Sequence, residues 1–492
     1  MIHSGGNGIG CATRRDQGRI PVNEQSRVGF ENISPEDMNS EKLVTYTGEA
    51  FLSREYLEAE KRLLWPKIWQ MVERLEDFPD VGDWITYNVA DESVIVVRVA
   101  EGDTGEAFRA FHNVCPHRGR QLISVPDGVH SVRGKNRTNF ICGFHGWTFD
   151  TEGNNTYILD PQDWQNKLTA EMTCLSQVKV DTWGGYLYLN MDADCEPLRA
   201  FMGRAGEILD HFELSKMRYK WRQWAVYPCN WKTAIEAFLE PYHVAGTHTQ
   251  LLAYGNYYAL SRQYGWHSVS SYDTRDDKFK MSESSGTTRA GVGDDPRVST
   301  YELIRENYET VNFSASTETL VKAASRLKDE LPEGTSAQEV IAHWMASAKK
   351  DDAARGVIWP EVPGDVMAEA WLAWGLFPNQ NILHGVTFAL CYRVRPYGDD
   401  PNKCVFESYA LERFPEGEVP KTEWVHAEPT GENWGSVLAQ DFSNMEFVQK
   451  GMKSSGFRGT LPNPHQEQKV INLHRNLANM LEGRGAPKPL DL

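Results

Sequence analysis

The sequence has no long run of apolar residues. Its hydrophobic stretches all fall short of the ~20 residues with which a helix crosses a bilayer. The first ten residues are rich in glycine and have no apolar core of the kind that a signal peptide contains. We therefore expect a cytoplasmic protein that stays out of membranes.

Basic residues are also in deficit. Lys and Arg total 51 and Asp and Glu total 68, so the formal net charge is −17. A chain with this charge is repelled by nucleic-acid phosphates and by anionic lipid head groups. The composition therefore argues against a nucleic-acid partner and against binding to a membrane surface.

Cysteine is scarce and nucleotide-binding motifs are missing. The eight cysteines are spread over 492 residues, unlike those of a small disulfide-stabilised protein. We find no convincing flavin or NAD motif, so any electrons that the protein uses must come from another protein. The length suggests two or more domains, and 40% hydrophobic residues with 16 Trp are ample for their cores.

Two of the cysteines stand close to histidines. Cys115 and His117 belong to one short segment, Cys142 and His145 belong to another, and residues 118–141 separate the two. Two cysteines and two histidines can hold a [2Fe–2S] cluster in which the histidines bind one iron. Tetrahedral zinc accepts the same ligands, but zinc fingers usually place a cysteine pair before a histidine pair.

A second candidate metal site lies in residues 230–248, which we predict to form a helix. Glu236, Glu240 and His243 are spaced i, i+4 and i+7, so one helix face would carry all three. A local bend near Gly246 would bring His248 to the same metal. Two histidines and one carboxylate leave open positions on iron, which suits the activation of O₂.

A di-iron centre is the main alternative for this segment. Glu240 and His243 fit the Glu-x-x-His pattern of di-iron helical bundles. The other such pair, Glu423 and His426, lies in a stretch rich in proline and glutamate that we predict to be a loop. A helical di-iron bundle is therefore disfavoured.

Together the two motifs resemble those of the large (α) subunit of Rieske non-heme iron oxygenases, the aromatic-ring-hydroxylating dioxygenase family. The resemblance covers roughly residues 45–480. It implies a Rieske [2Fe–2S] cluster and a mononuclear Fe(II). The residues that match the family's metal ligands are Cys115, His117, Cys142 and His145 for the cluster, and His243 and His248 for the iron.

The resemblance also implies roles for several carboxylates. The family supplies a third iron ligand, an Asp, from a distant helix, and the best match is Asp441, with Glu446 as the fallback. Glu240 occupies the place of the carboxylate that links a cluster histidine of one subunit to an iron histidine of its neighbour. A glutamate there resembles the subset that oxidises quaternary amines. Glu236 is predicted to orient a ligand histidine.

The expected fold class is α+β. A small all-β Rieske domain is followed by a larger mixed catalytic domain, an antiparallel sheet flanked by helices in a helix-grip arrangement. We expect residues 268–300 to form a polar loop or lid. The predicted segments are a flexible arm over 1–40, a helical segment packing with the catalytic domain over 41–75, the Rieske domain over 76–190 and the catalytic iron domain over 191–492.

The resemblance implies a terminal oxygenase that uses O₂ and electrons from NAD(P)H through a separate reductase or ferredoxin. We expect it to hydroxylate a hydrophobic, aromatic or polycyclic substrate. Demethylation at nitrogen or oxygen, oxidation of a quaternary amine, and a non-catalytic Rieske electron carrier are the alternatives. A homotrimer, or an α3β3 assembly with a small β subunit, is implied. The basic residues between His130 and Arg137 are a candidate docking surface for the electron donor.

Overall fold

The structure is a computed structural model that describes residues 43–126, 129–253, 258–273 and 295–490. The predicted arm over residues 1–40 lies outside these ranges. The chain divides into two compact units, one formed by Trp65–Leu198 and the other by the chain from Arg199 onward together with the segment that precedes Trp65. Within the described ranges, none of the helices combines the length and the apolar composition of a bilayer-crossing segment.

The segment before Trp65 belongs to the second unit. Its elements are β1 (Val44–Thr45), α1 (Glu49–Leu52) and α2 (Arg54–Leu63). Helix α2 begins at a serine cap, because the Ser53 side chain accepts a hydrogen bond from the Tyr56 N–H. On its buried face, Glu60 forms an ion pair of 2.6 Å with Lys232 and accepts a hydrogen bond from the Trp231 indole. This pair fastens α2 to the start of a helix that carries site residues.

The first unit is built almost entirely from strands. Its elements are β2 (Gln70–Arg74), β3 (Trp84–Val89), β4 (Glu92–Arg98), β5 (Phe108–His112), β6 (Arg133–Gly134), β7 (Asn139–Ile141), β8 (Thr148–Asp150), β9 (Asn155–Tyr157), the short α3 (Ala170–Thr173), β10 (Gln177–Trp183) and β11 (Tyr186–Asn190). Among the described residues, one antiparallel sheet has the order β2-β11-β10-β5-β4-β3-β6, and a smaller sheet has the order β7-β8-β9.

The prediction of helix up to residue 75 is wrong at its C-terminal end. All five residues of β2 are buried, and the strand pairs antiparallel with β11. The helical structure has already ended at Lys67, just after Pro66, which cannot continue a regular helix. The chain from Trp65 onward therefore belongs to the β unit.

The second unit combines one large sheet with helices. Its elements after α4 (Leu198–Asp210) are β12 (Arg218–Tyr227), α5 (Trp231–Leu239), α6 (Val244–Thr247), β13 (Tyr258–Tyr264), β14 (His267–Asp273), α7 (Pro296–Thr310), α8 (Glu318–Ser325), α9 (Leu327–Glu330), α10 (Ala337–Ala354), α11 (Gly364–Ala370), β15 (Ala373–Leu376), β16 (Gln380–His384), β17 (Phe388–Tyr397), β18 (Asp400–Glu412), β19 (Val425–His426), α12 (Gly431–Trp434), α13 (Ser436–Gly451), α14 (Gln468–Met480) and β20 (Lys488–Pro489).

The large sheet has the order β13-β14-β15-β16-β17-β18-β12-β19 in the part of the chain that the structure describes. Its pairs are antiparallel except β12 with β19. Helix α5 packs on β17 and β18 and also contacts α13 and α14. The predicted fold class, an all-β unit joined to a mixed unit with an antiparallel sheet and helices, is confirmed. The packing brings α5 and α13, which are far apart in sequence, side by side.

The predicted lid over residues 268–300 is wrong at both ends. Residues 267–273 form β14, which pairs with β13 and β15, and residues 296–310 form α7. The polar side chains of Ser268 and Ser270 favoured a loop in the sequence-based prediction, yet both residues are buried in the sheet. The middle of the predicted lid, residues 274–294, lies outside the described residues.

Candidate functional site

The first Cys/His loop follows β5 and turns back on itself. The Cys115 N–H donates to the Arg120 carbonyl at 2.8 Å, and the Gly119 N–H donates to the Cys115 carbonyl at 2.9 Å. Gly119 has φ of +76°, a left-handed conformation that glycine adopts without steric cost. This turn leaves Cys115 buried and His117 partly exposed.

The second loop joins β7 to β8 and repeats the same backbone pattern. The Cys142 N–H donates to the Trp147 carbonyl at 2.8 Å, and the Gly146 N–H donates to the Cys142 carbonyl at 2.9 Å. Gly146 has φ of +73°. The two loops are thus matched turns, each presenting one buried thiol at its start.

The four side chains of the two loops lie together. The imidazole centroids of His117 and His145 are 4.7 Å apart, and burial raises the pKa of Cys115 to about 11, with the neighbouring Cys142 thiol adding to the shift. The Nδ1 atom of His145 is buried and has no hydrogen-bond partner among the described residues. An unpaired ring nitrogen beside two adjacent thiols fits the donor set of a [2Fe–2S] cluster.

The aromatic residue that ends the second loop supports this arrangement. The Trp147 ring is stacked on His117 at 4.9 Å and 7°, and Trp164 contacts both rings edge-on. The indole of Trp147 is buried, so its stacking on His117 fixes the plane of that imidazole against the protein interior. The outer face of His117 and His145 borders a shallow cavity.

The helix predicted over residues 230–248 is interrupted. Helix α5 ends before Glu240, which has an extended backbone with φ of −125° and ψ of 134°. Pro241 follows, and a residue before proline is disfavoured in the helical conformation. Glu236 and His243 therefore do not share one helical face, contrary to the prediction, and the bend lies at Glu240 rather than at Gly246.

The interruption brings His243, His248 and Asp441 together. Their candidate ligand atoms all lie within 4.8 Å of one another. The Asp441 Oδ1 atom is 2.9 Å from His248 Nε2 and 3.4 Å from His243 Nε2. Asp441 reaches this position from α13, which packs on α5. Glu446, the fallback ligand, is paired instead with Lys450 on the same helix.

The electrostatics of this cluster favour charged groups. Burial alone would raise the pKa of Asp441, but hydrogen bonds from His243 and His248 lower it. Burial alone would lower the pKa of His243, but Asp441 and Glu240 raise it well above its usual value. Iron binds imidazole only in its neutral form, so a divalent iron here would take the place of the protons through which His243 and His248 bond to Asp441. Two imidazoles and one carboxylate that already converge fit such an ion.

Hydrogen bonds from the far ring nitrogens orient both imidazoles. The His243 Nδ1–H donates to Glu240 Oε1 at 2.9 Å, and the His248 Nδ1–H donates to Gln440 Oε1 at 2.7 Å. Gln250 Nε2 donates to the same Gln440 oxygen at 3.0 Å. The Nε2 atoms are thereby directed at Asp441. Sequence reasoning missed Gln440, although its position next to Asp441 was an available signal.

Glu236 has a different partner from the predicted one. Its Oε1 atom accepts a hydrogen bond of 2.5 Å from His474 Nε2. The His474 ring is buried and stacks on Tyr46 at 3.8 Å. The prediction that Glu236 orients a ligand histidine is corrected, because α5 ends before it could place Glu236 beside His243. His474, on α14, had no signal in the sequence.

Two cavities meet at the cluster. One, of about 470 Å³, is mostly apolar, and the other, of about 440 Å³, is lined by acidic residues that include Glu236 and Glu467. Burial, and then the charge of Glu240, raise the pKa of Glu467 to about 7. Glu240, His243 and Asp441 border both cavities.

The basic residues between the cluster loops are engaged within their own unit. Arg133 forms ion pairs with Glu73 at 3.1 Å and Asp77 at 3.3 Å. Arg137 packs over the Trp84 ring at 4.6 Å, and burial lowers its pKa. This segment therefore links the turn to β2 and β3, while Arg133 and Lys135 remain exposed, and its role as a docking surface for the electron donor stays a prediction.

Comparison with known families identifies both units. The Rieske [2Fe-2S] domain family matches residues 68–167. The family described as ring hydroxylating alpha subunit (catalytic domain) matches residues 212–483, more than half of the chain. The chain belongs to this family. The predicted resemblance is confirmed, as are the two cofactors at the level of the matched domains, since these are a Rieske [2Fe-2S] domain and a catalytic domain that binds mononuclear iron.

Members of the ring-hydroxylating alpha-subunit family with different substrates are similar to this chain. The biphenyl 2,3-dioxygenase subunit alpha of Rhodococcus jostii (strain RHA1) is 30% identical over 214 residues, which cover 42% of each chain. The carnitine monooxygenase oxygenase subunit of Escherichia coli (strain K12) is 26% identical over 220 residues, 44% of this chain and 56% of the relative. The matches thus span about half the length of these relatives.

A solved structure extends the similarity of fold. A point mutant of naphthalene 1,2-dioxygenase bound to phenanthrene has a TM-score of 0.59 and 18% identity, and the match covers 90% of this chain and 93% of that one. At this identity the likeness concerns the fold alone. The shared fold extends over nearly the full length of both chains.

Proposed function

We propose that this chain is the terminal oxygenase component of a Rieske non-heme iron system. It hydroxylates a hydrophobic, aromatic or polycyclic substrate with O₂. Separate proteins, a ferredoxin or a flavin reductase, deliver the electrons of NAD(P)H. The chain thus combines an electron-accepting unit with a substrate-oxidising unit.

The observation that carries the proposal is the position of the His243, His248 and Asp441 cluster in the wall of a mostly apolar cavity. The cavity of about 470 Å³ lies in the usual size range of small-molecule sites. Ring and aliphatic side chains form most of its remaining wall, among them Phe238, Val244, Leu251, Trp344, Leu383, Phe388, Leu390 and Tyr392. An apolar substrate would displace water from the metal-binding residues and lie next to them.

The residues have separate roles in this proposal. Cys115, Cys142, His117 and His145 hold the cluster, and the histidine–aspartate group of α5–α6 and α13 holds the iron. When bound, the cluster supplies single electrons and the ferrous ion supplies a site for O₂. The chain itself supplies orientation, because the hydrogen bonds at the two Nδ1 atoms fix the imidazoles.

Glu240 has a second proposed role as the carboxylate through which electrons arrive. Its side chain is bonded to His243 and borders both the apolar and the acidic cavity. In a ring-shaped assembly such as the family forms, a cluster histidine of a neighbouring subunit would approach Glu240 through the cavity that the acidic residues line. We therefore propose a homotrimer, or an α3β3 assembly with a small β subunit.

The charges around the cavity favour neutral substrates. Among the described residues no Lys or Arg borders the apolar cavity, whereas Glu240 and Asp441 do. Carnitine and glycine betaine, the substrates named for some of the relatives, carry a carboxylate that needs a cationic partner when it is buried. Biphenyl and naphthalene need none.

The test is product analysis with a substrate panel. The iron-loaded protein, NADH, ¹⁸O₂ and a surrogate ferredoxin and reductase are incubated with naphthalene, biphenyl, carnitine or glycine betaine. We expect ¹⁸O-labelled products from an aromatic compound, and none from the Asp441→Ala variant. Labelled products from carnitine or betaine alone would move the chain to the quaternary-amine monooxygenases. NADH oxidation without any labelled product would contradict the proposal.

A further inference from the structure

Two polar side chains in the wall of the apolar cavity have no hydrogen-bond partner among the described residues. His384 is 3% exposed and Ser316 is 2% exposed, and both border the cavity. Both ring nitrogens of His384 and the Oγ atom of Ser316 are unpaired. Buried polar groups in folded proteins are nearly always satisfied, so these three atoms require an explanation.

His384 is held firmly in place by contacts that leave its ring nitrogens unused. It is the last residue of β16, and its backbone N–H donates to the Leu372 carbonyl at 2.9 Å. Its ring packs edge-on against Phe212, with centroids 4.3 Å apart. Backbone hydrogen bonding with Ala370 and Gly385 partly opposes the effect of burial on the His384 pKa, but neither contact has the distance and angle of a regular hydrogen bond.

Ser316 is likewise not explained by local structure. The next residue, Thr317, caps α8 by accepting a hydrogen bond from the Leu320 N–H at 3.2 Å. Helix α8 therefore begins without help from the Ser316 hydroxyl. Nothing in its own loop accounts for a buried, unpaired hydroxyl at this position.

Two other polar residues on the cavity wall are already engaged. Asn381 Nδ2 donates to the Phe238 carbonyl at 2.6 Å, and Ser270 Oγ accepts from Lys469 Nζ at 3.2 Å. These two serve the packing of α5 and α14 on the sheet. His384 is also not part of the metal-binding group, which consists of His243, His248 and Asp441. His384 and Ser316 are therefore available for a ligand.

The ligand that they suit is uncharged. Burial lowers the pKa of His384 to about 4, so at neutral pH its imidazole carries no charge and offers one donor and one acceptor. A serine hydroxyl has the same dual capacity. Because no Lys or Arg among the described residues borders the cavity, a carboxylate would remain unpaired there.

We propose that His384 and Ser316 bind a hydroxyl or carbonyl oxygen of a neutral, ring-containing substrate. This inference rests on the proposed function, because it assumes that the apolar cavity receives the substrate. It narrows the substrate class from an aromatic hydrocarbon to an aromatic or polycyclic compound that already carries oxygen. The hydrogen bonds would fix which edge of the ring faces His243 and Asp441.

The test is ligand binding to the oxidised, iron-loaded protein without reductase or NADH. Dissociation constants are measured by tryptophan fluorescence for naphthalene, 1-naphthol, 2-naphthol and 1-naphthoate. We expect at least one naphthol to bind roughly tenfold more tightly than naphthalene, and 1-naphthoate to bind most weakly. His384→Leu and Ser316→Ala should each reduce the naphthol preference and leave the affinity for naphthalene unchanged or higher.

Two further variants distinguish hydrogen bonding from a structural role. Ser325→Ala, an exposed change on α8 outside the cavity wall, should keep the naphthol preference, and His384→Gln should restore part of it. Equal binding of naphthalene and the naphthols, tightest binding of 1-naphthoate, or an equal loss for all ligands in both His384→Leu and Ser316→Ala would overturn the inference. These experiments measure binding and not turnover. Their outcome therefore does not depend on whether the oxygenation assay of the proposed function succeeds or fails.

Discussion

At the scale of single residues, the position of His243 depends on Glu240. One carboxylate oxygen of Glu240 accepts from the His243 ring Nδ1–H and the other accepts from the His243 backbone N–H, both at 2.9 Å. This double contact is possible because Glu240 leaves the helix and lies in an extended conformation. The imidazole is therefore fixed by a neighbour three residues away.

Replacing this carboxylate by an amide tests the arrangement. Glu240→Gln keeps the size of the side chain, but its NH₂ group faces one of the two N–H donors, so one hydrogen bond is lost. Mutation of a hydrogen-bond partner of a metal-binding histidine typically lowers metal affinity by tenfold to a hundredfold. We expect a loss of roughly this size in ferrous-iron affinity. Competition with a chelator measures it. Glu432→Gln, an exposed change on α12, should bind iron as the wild type does, and equal affinities for both variants would refute the role of Glu240.

The site residues that the sequence predicted correctly are those that lie close to one another along the chain. The Cys/His loops and the two histidines of residues 243–248 lie in short motifs, and the structure brings each set together. His474 and Gln440 come from distant segments and bond to Glu236 and His248. Such partners are set by tertiary packing. For His474 the sequence offered no local pattern, and for Gln440 the only signal was its position next to Asp441.

At the scale of elements, the start of α13 decides where Asp441 lies. Gly435 precedes the helix with φ of +82°, and a Cβ atom there would collide with the Thr310 carbonyl and lie 2.7 Å from the Asn312 backbone nitrogen. The close approach of the α7 end therefore requires glycine. Asp441 follows less than two turns into the helix.

Gly435→Ala should disturb both stability and iron binding. Strained backbone and overpacking each cost about 1–3 kcal/mol, so we expect unfolding to become easier by roughly 2–4 kcal/mol, with a lower iron content. Gly451→Ala, at the other end of α13, meets open space and should be neutral or stabilising by up to about 1 kcal/mol. Urea denaturation and iron analysis check both variants. Similar unfolding free energies for Gly435→Ala and Gly451→Ala would show that the close contact between Gly435 and Thr310 does not require glycine.

A buried histidine joins α4 to the sheet and makes this junction sensitive to acid. His267 Nε2–H donates to the Phe201 carbonyl at 2.9 Å, and its Nδ1 accepts from the Phe377 N–H at 3.2 Å. Burial lowers the pKa of His267 to about 4. The unfolded chain therefore binds a proton more readily, and stability that is present above the ordinary pKa of about 6.5 is lost as the pH falls towards 4.

His267→Gln should weaken this pH dependence. Glutamine can make both hydrogen bonds and does not titrate. Between pH 7 and pH 5 the wild type should lose about 2 kcal/mol more unfolding free energy than the variant. Urea titrations at both pH values measure the difference. His211→Gln, an exposed change, should behave as the wild type does, whereas an unchanged slope in His267→Gln would assign the acid sensitivity to other groups.

Regular elements were predictable where periodicity and caps agree. Ser336 and Glu339 form a capping box at the start of α10, and this spacing of serine and glutamate is recognisable in the sequence. The continuous helix over residues 230–248 was wrong because Pro241 outweighs the helical periodicity around it. The lid was wrong because serines in β14 are buried by pairing on both sides, which composition alone does not reveal.

At the scale of the whole molecule, the chain carries two metal-binding units with separate tasks. The first unit presents the Cys/His loops, and the second presents the His243, His248 and Asp441 cluster beside an apolar cavity. The sequence predicted this division, the α+β class and the family, because both metal motifs are highly specific. It did not predict the cavity's unpaired polar groups, which exist only once distant strands and helices enclose them.

The central claim is that one chain holds a two-iron cluster and a separate single iron. Iron and acid-labile sulfide analysis of the wild type and of Asp441→Ala tests it most directly, with Glu446→Ala as the control on the same helix. We predict about three iron atoms and about two sulfides per chain for the wild type and the control. Asp441→Ala should retain about two of each, with the reduced-cluster EPR signal unchanged. Zinc in place of iron and sulfide, or a third iron that persists in Asp441→Ala, would contradict the account.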